Sequence, residues 1–331
     1  MTIGVSFDGF SSFHDALTFA REATAAGARG LWMADHLGFR EPALSCLAFA
    51  MANETARVIP TAVSPYLRHP MPTAMSLATL AEAAPGRVSI ALGVGNPLFL
   101  KESGETPEKP LRVTQEFVEA LRALWSGEPV HKEALRFRLN GARMMFKPPQ
   151  PIKIYLAPIK ERMLKLAGKI ADGVVLSAGL TTDYVRQSLE LTRAGAQEAG
   201  RDYAALDTAG YITFLAGRDR KDAIAKVKNQ LSFIMRNRFL QDNIALSGVR
   251  VDQEAVIAAM AERNFEKARS LIPDEAVERF AVAGTVDECC EQLKKYAEAG
   301  LKELVLLMAG DLHDQRYGLN VIKKMESVRR V

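Results

Sequence analysis

Short apolar runs alternate with helix-forming stretches along almost the whole of this chain, and that rhythm leaves few ways to fold. Consecutive strands joined through a helix pair in parallel, and the helices must cover the sheet they connect. The unit is plainest between Val58 and Pro97. Val58 to Val63 is apolar, Ser64 to Pro72 holds three prolines, Thr73 to Ala84 is helix-forming and Val88 to Val94 is apolar again. Both strands of such a unit open their C-terminal ends onto one face.

The same alternation frames this stretch on both sides. Ile3 to Phe7 is a strand, and Phe13, Leu17, Ala20 and Ala23 recur at helical spacing before Gly27. Gly30 to Ala34 is the second strand and Pro42 to Ala52 the second helix. Further strands are expected at Lys153 to Ala157, in the run after Ala171, at Leu206 to Ala216 and at Glu303 to Met308. Helices are expected over 111–125, 161–171, 182–199, 282–299 and 315–328, with Thr285 and Glu288 spaced as a capping box. Between Gly95 and Pro110 the chain reads as loop.

Two segments stand outside the rhythm. Residues 129–149, with Leu135, Phe137 and Leu139 alternating and Asn140-Gly141 at the centre, read as a β-hairpin turned on that dipeptide. Residues 218–281 read as helices over the barrel mouth. Eight strands and eight principal helices in alternation give an α/β class chain, a (β/α)8 TIM barrel, as one domain over 1–331 with these two insertions. At 331 residues and 48% hydrophobic it can bury such a core.

Composition removes several functions. A net charge of +4 spread along the chain argues against nucleic acid. Cys46, Cys289 and Cys290 make no disulfide framework, the five histidines form no HxxxH or CxxC-type metal pattern, and no GxSxG elbow occurs. No run approaches the length that spans a bilayer, and MTIGVSFDGF lacks the basic and apolar parts of a leader, so a cytoplasmic protein without membrane contact is expected.

Chemistry is expected on the rim where strands end. Asp35 and His36 follow the second strand, where a histidine is placed to face a bound ligand. The loop Gly93 to Pro97 lacks the third glycine of a dinucleotide fingerprint, so its glycines serve close backbone approach and Asn96 stands beside them. The helix opening near Glu161 presents free N–H groups and a positive dipole end, a place for phosphate, with Lys160 and Arg162 either adding charge there or simply solvated. Arg68 and His69 either meet a ligand or serve as a salt-bridge partner and a loop cap, and Asp8 reads as a turn residue.

Pro65, Tyr66, Arg68 and Pro70, then Thr79, Leu80 and Glu82, then Gly86, Arg87, Gly93 and Gly95 follow one another in register. Downstream stand Ile154, Tyr155 and Ala157, then Met163, Leu164, Leu166, Ala167 and Gly168, then Ala171, Asp172 and Gly173. Together they resemble the luciferase-like family of flavin- and deazaflavin-dependent TIM barrels, most of all its methylenetetrahydromethanopterin reductase branch. The resemblance implies an oxidoreductase that binds reduced FMN or coenzyme F420 at the C-terminal mouth and acts on a small organic substrate. It implies a non-prolyl cis peptide at Thr61 and Ala62, with Val63, behind the ring, and Asp35 and His36 beside it. It also implies a phosphate loop over Pro158, Ile159, Lys160, Glu161, Arg162 and Met163, closed by Ala178 or Gly179. A homodimer, and a flavin reductase supplying reduced FMN, follow from resemblance alone. Where deazaflavin-dependent members carry acids, this chain has Ser6 and Asn96. Whole-chain resemblance favours F420 and a reductase-like hydride transfer; the missing acids favour reduced FMN and a monooxygenase, or a non-catalytic flavin-binding sensor.

Overall fold

The computed structural model describes residues 1–177 and 179–329, the last in its backbone alone. Four strands come first: β1 (Thr2–Phe7), β2 (Gly30–Ala34), β3 (Arg57–Thr61) and β4 (Ser89–Leu92). A separate antiparallel pair follows, β5 (Val130–Glu133) and β6 (Arg138–Ala142), and then β7 (Lys153–Leu156), β8 (Gly173–Leu176), β9 (Asp207–Ala216), β10 (Ala281–Gly284) and β11 (Glu303–Met308). Eight of these lie in parallel in the order β3-β2-β1-β11-β9-β8-β7-β4, and β10 adds to β9 off that path. Single bridges of Val58 with Val88 and of Val63 with Leu92 link β3 to β4, which makes the sheet a nearly closed TIM-like barrel.

Helices clothe it: α1 (Phe13–Ala25), α2 (Pro42–Ala52), α3 (Pro70–Ala83), α4 (Pro97–Glu102), α5 (Pro110–Trp125), α6 (Glu161–Ile170) and α7 (Thr182–Glu198). Four of them open on a proline at the first turn, where its missing N–H costs nothing. Helices α6 and α7 touch backbone to backbone. A Cβ on Gly168 would fall 2.0 Å from the Thr192 carbonyl, and one on Gly195 would fall 2.0 Å from that of Lys165.

The barrel is plugged at its N-terminal end. Trp32 and Tyr155 stack across the interior with centroids 5.9 Å apart, and Glu303 accepts the Trp32 indole N–H at 3.0 Å while pairing with Arg57. A Cβ on Gly30 would lie 2.1 Å from the Glu303 Oε1, so that glycine makes room for the buried carboxylate. Toward the C-terminal ends the inward positions are small: Ser6, Ala34, Thr61, Gly93, Ala157 and Ser177. Of these Ser6, Ala34, Ala157 and Ser177 keep contact with solvent, and Tyr211 of β9 also faces inward.

Helices α8 (Arg220–Met235), α9 (Gln241–Ser247), α10 (Gln253–Ala261), α11 (Phe265–Ser270) and α12 (Asp274–Phe280) form the expected insertion around their own apolar cluster, including Val227, Leu231, Met235 and Phe280. The barrel is completed by α13 (Val286–Glu298), which opens on the Thr285–Glu288 capping box, and α14 (Leu312–Arg329). Among the described residues no helix is long and apolar enough to cross a membrane.

Three expectations are corrected. The hairpin turns at 134–137, where Ala134 N–H bonds the Phe137 carbonyl at 3.0 Å, rather than at Asn140-Gly141. Gly141 instead has φ +73° opposite a register shift at Val130/His131, so the glycine serves a bulge within β6. Residues Ala281–Gly284 are a strand and not the start of a helix, because the capping box sets the helix start at Val286 and frees AVAG to pair with β9. The stretch after Gly95 contains α4, nucleated by Asn96 and Pro97, where a loop was expected.

Candidate functional site at the C-terminal mouth

Strands β2, β3, β4 and β7 follow one another round the barrel, so His36, Thr61, Asn96 and the loop before α6 occupy one arc of the C-terminal rim. The cis peptide lies where the motif positions it, between Thr61 and Ala62. Its surroundings are backbone-dense: Asp35 N–H donates to the Thr61 carbonyl at 2.7 Å, Val63 N–H to Ala91 at 2.9 Å and Gly93 N–H to Val63 at 3.1 Å. A Cβ on Gly93 would stand 2.9 Å from that of Ala62, so only glycine lets the β4 end come this close. Gly95, at φ +112°, then turns the chain past Ser64, whose hydroxyl donates to the Val94 carbonyl at 2.6 Å.

His36 is half-buried and its Nδ1 lies 2.8 Å from the Asp8 carbonyl. A carbonyl only accepts, so Nδ1 carries a proton and, in the neutral ring, Nε2 bears the lone pair. Among the described residues Nε2 has no hydrogen-bond partner. Asp8 itself is the turn residue expected, its carboxylate accepting Phe10 N–H at 2.8 Å.

Asp35 is held differently from its neighbour. Both of its oxygens accept from Arg68, at 3.1 Å from Nε and 3.0 Å from Nη2, while Arg68 Nη1 donates to Glu41 at 3.1 Å. Glu41 in turn caps α2 through Leu44 N–H at 2.7 Å. Arg68 therefore joins the β2 end, the α2 start and the β3 loop. His69 is a helix cap, its Nδ1 accepting Met71 N–H at 3.2 Å. Asn96 is exposed, and its Oδ1 accepts Leu98 N–H at 2.9 Å to start α4.

At the α6 start the Ile159 carbonyl accepts the Tyr184 hydroxyl at 2.9 Å, and Met163 and Leu164 N–H already bond the Lys160 carbonyl. The N–H groups of Glu161 and Arg162 are left for an anion. Lys160 Nζ pairs with Asp242 of α9 at 2.7 Å, so its charge ties the insertion down, whereas Arg162 is exposed and Met163 half-buried. Asn243 of α9 bonds the Gly179 carbonyl and accepts from Thr181 at 3.0 Å, which seats α9 beside this loop. Ala178 lies outside the described residues.

Tyr211 escapes a reading by motif. It is the inward residue of β9 after Ala209, and its hydroxyl is enclosed beside the Thr61 side chain, next to the cis peptide. Burial pushes its phenol well above the ordinary value. Only its place in the inward alternation could have singled it out.

Small inward side chains, a glycine that keeps the β4 backbone close, an enclosed phenol hydroxyl and two free amides at a helix start suit a flat polar ring carrying an anionic tail. Among the described residues no group of three or more potential ligands could hold a metal ion.

The 5,10-methylenetetrahydromethanopterin reductase of Archaeoglobus fulgidus is 27% identical over 309 residues, covering 92% of each chain. The structure of the coenzyme F420-dependent tetrahydromethanopterin reductase from Methanopyrus kandleri superposes with a TM-score of 0.90 at 23% identity over 98% of this chain and 97% of that one. The FMN complex of the oxygenating constituent of 3,6-diketocamphane monooxygenase from Pseudomonas putida gives a TM-score of 0.75 at 18% identity, over 98% and 97%. The model of the luciferase-like monooxygenase family matches residues 2–303, and the chain belongs to that family.

Proposed function

We propose that this chain is an F420-dependent oxidoreductase that exchanges a hydride with a small organic substrate at the barrel mouth. The observation that carries the reading is His36: its Nδ1 is fixed on the Asp8 carbonyl, its Nε2 is free, and the Asp35–Thr61 hydrogen bond ties its loop to the cis peptide. When bound, F420 would supply a carbon that gives or takes a hydride. The chain's own part is positional and protonic. Thr61, Ala62 and Val63 back the ring, with the Tyr211 hydroxyl as a donor beside them. The Glu161 and Arg162 amides and the Arg162 side chain hold the anionic tail. His36 Nε2 gives or accepts the substrate proton, while α8 and α9 cover the arc above α6 and limit water. Relatives named as F420-dependent, one of them matched over 91% of this chain, support this choice of cofactor.

A second reading is a reduced-FMN monooxygenase. Ser6 and Asn96 favour it, since neither can move a proton as a carboxylate does, and Asn96 is committed to its cap. Titrating the purified protein with F420 and with FMN, each followed by cofactor fluorescence, separates the two. Tighter F420 binding is expected. In the His36→Asn variant, F420 affinity should stay within about twofold while turnover falls by about 10² to 10⁴. Preferential FMN binding with oxygen consumption would select the second reading, and binding of neither cofactor would overturn both.

A further inference from the structure

Two aromatic rings from different βα loops meet the His36 imidazole, and a third, from the loop after β2, joins them. Phe10, after β1, stacks on it with centroids 5.3 Å apart and planes inclined by 26°. Phe99, on α4, meets it edge-on at 5.9 Å, and Phe39 lies 4.5 Å from Phe10. Phe10 and Phe39 nevertheless leave 46% and 48% of their surface to water, and Leu98 beside Phe99 leaves 54%. Single exposed apolar side chains are ordinary, but a cluster packed on a histidine with an unbonded ring nitrogen at the mouth of a barrel is not.

The cluster is also held in shape. Arg40 Nη1 donates to the carbonyls of Gly9 and Phe10 at 3.1 and 3.2 Å, and Asp8 accepts the Phe10 N–H. Of the two arginines beside the cluster, Arg68 is paired with Asp35 and Glu41, and Arg40 is held against the backbone through Nη1. An apolar rim with a single polar atom at its centre recognises shape and one polar function.

We propose that Phe10, Phe39 and Phe99 form the substrate subsite, and that it takes an uncharged molecule with an apolar or aromatic body and one oxygen function in reach of His36 Nε2. This rests on the oxidoreductase reading only in calling the ligand a substrate. The subsite lies on the β1, β2 and β4 loops, away from the α6 start assigned to the cofactor tail. Phe10 and Phe39 are the specificity-determining positions, because their exposed faces gain most from being covered.

The test uses the full chain with and without F420, and benzyl alcohol as probe, with benzoate and glucose 6-phosphate as charged controls, read by saturation-transfer NMR. Benzyl alcohol is expected to bind and the charged controls to bind at least tenfold more weakly. Phe10→Ala combined with Phe39→Ala should weaken benzyl alcohol at least fivefold, with F420 affinity kept within twofold; Phe10→Leu should lose less. Unchanged benzyl alcohol affinity in the double variant, tighter binding of either charged control, or a matching loss of F420 affinity would each overturn the assignment. Failure of the wild-type chain to bind F420 or FMN would instead strike the oxidoreductase reading, and the benzyl alcohol series would still decide the subsite.

Discussion

Removing Arg68 should cost more than any ordinary surface ion pair, because of what it leaves behind. The Asp35 carboxylate is only 6% exposed and Arg68 31%, at 3.0 Å. At an effective dielectric of about 20 that separation corresponds to roughly 5 kcal/mol of gross attraction, offset by desolvation of both ions. Arg68→Ala strands a buried carboxylate, which costs about 3–5 kcal/mol in a fully buried pair; water reaching the exposed third of the guanidinium lowers this to about 2–4 kcal/mol. Asp35→Ala leaves Arg68 with Glu41 and solvent, so about 1–2 kcal/mol is expected. The double variant carries no orphaned buried charge and should lose less than the two single losses together, with a coupling of about 2 kcal/mol. Urea unfolding of the four proteins, followed by far-ultraviolet circular dichroism, measures each quantity. Additive losses, or an Arg68→Ala protein within about 0.5 kcal/mol of the wild type, would refute the claim that this pair clamps the rim beneath His36.

Two further outcomes follow from the fold. Gly195→Ala pushes a methyl toward the Lys165 backbone, which cannot swing aside as a side chain can; a loss of about 3 kcal/mol in urea unfolding is expected, and a neutral variant would mean that α6 and α7 separate freely. At the barrel base burial raises the Asp207 pKa, but hydrogen bonds from Lys153 and Tyr155, at 2.7 and 2.8 Å, lower it further, leaving it below the ordinary carboxylate value. Its stabilisation is therefore present above the unfolded pKa of about 3.9 and lost as pH falls through the folded one, so the urea midpoint should drop below about pH 4, and less steeply in Asp207→Asn.

The chain's own letters determine the barrel and much of the arc that bears the candidate site. Strand and helix periods differ, so the βα rhythm is legible residue by residue, and parallel pairing through helices leaves the rest of the topology little freedom. The capping box at Thr285 could be marked because it is a short local pattern, whereas the cis peptide position came only from resemblance to the family. Only the tertiary structure decided which polar groups are free. Asp35 and His36 are adjacent in sequence and equally plausible as ligands of a cofactor. Yet the first is consumed by Arg68, 33 positions away, while the second keeps one nitrogen open because Asp8 takes the other. The collar of Phe10, Phe39 and Phe99, the meeting of the Tyr211 hydroxyl with Thr61 and the pairing of Lys160 with Asp242 were hidden for the same reason. Each joins loops that meet only when the barrel closes, and pairings between distant residues leave no period in the sequence to be read.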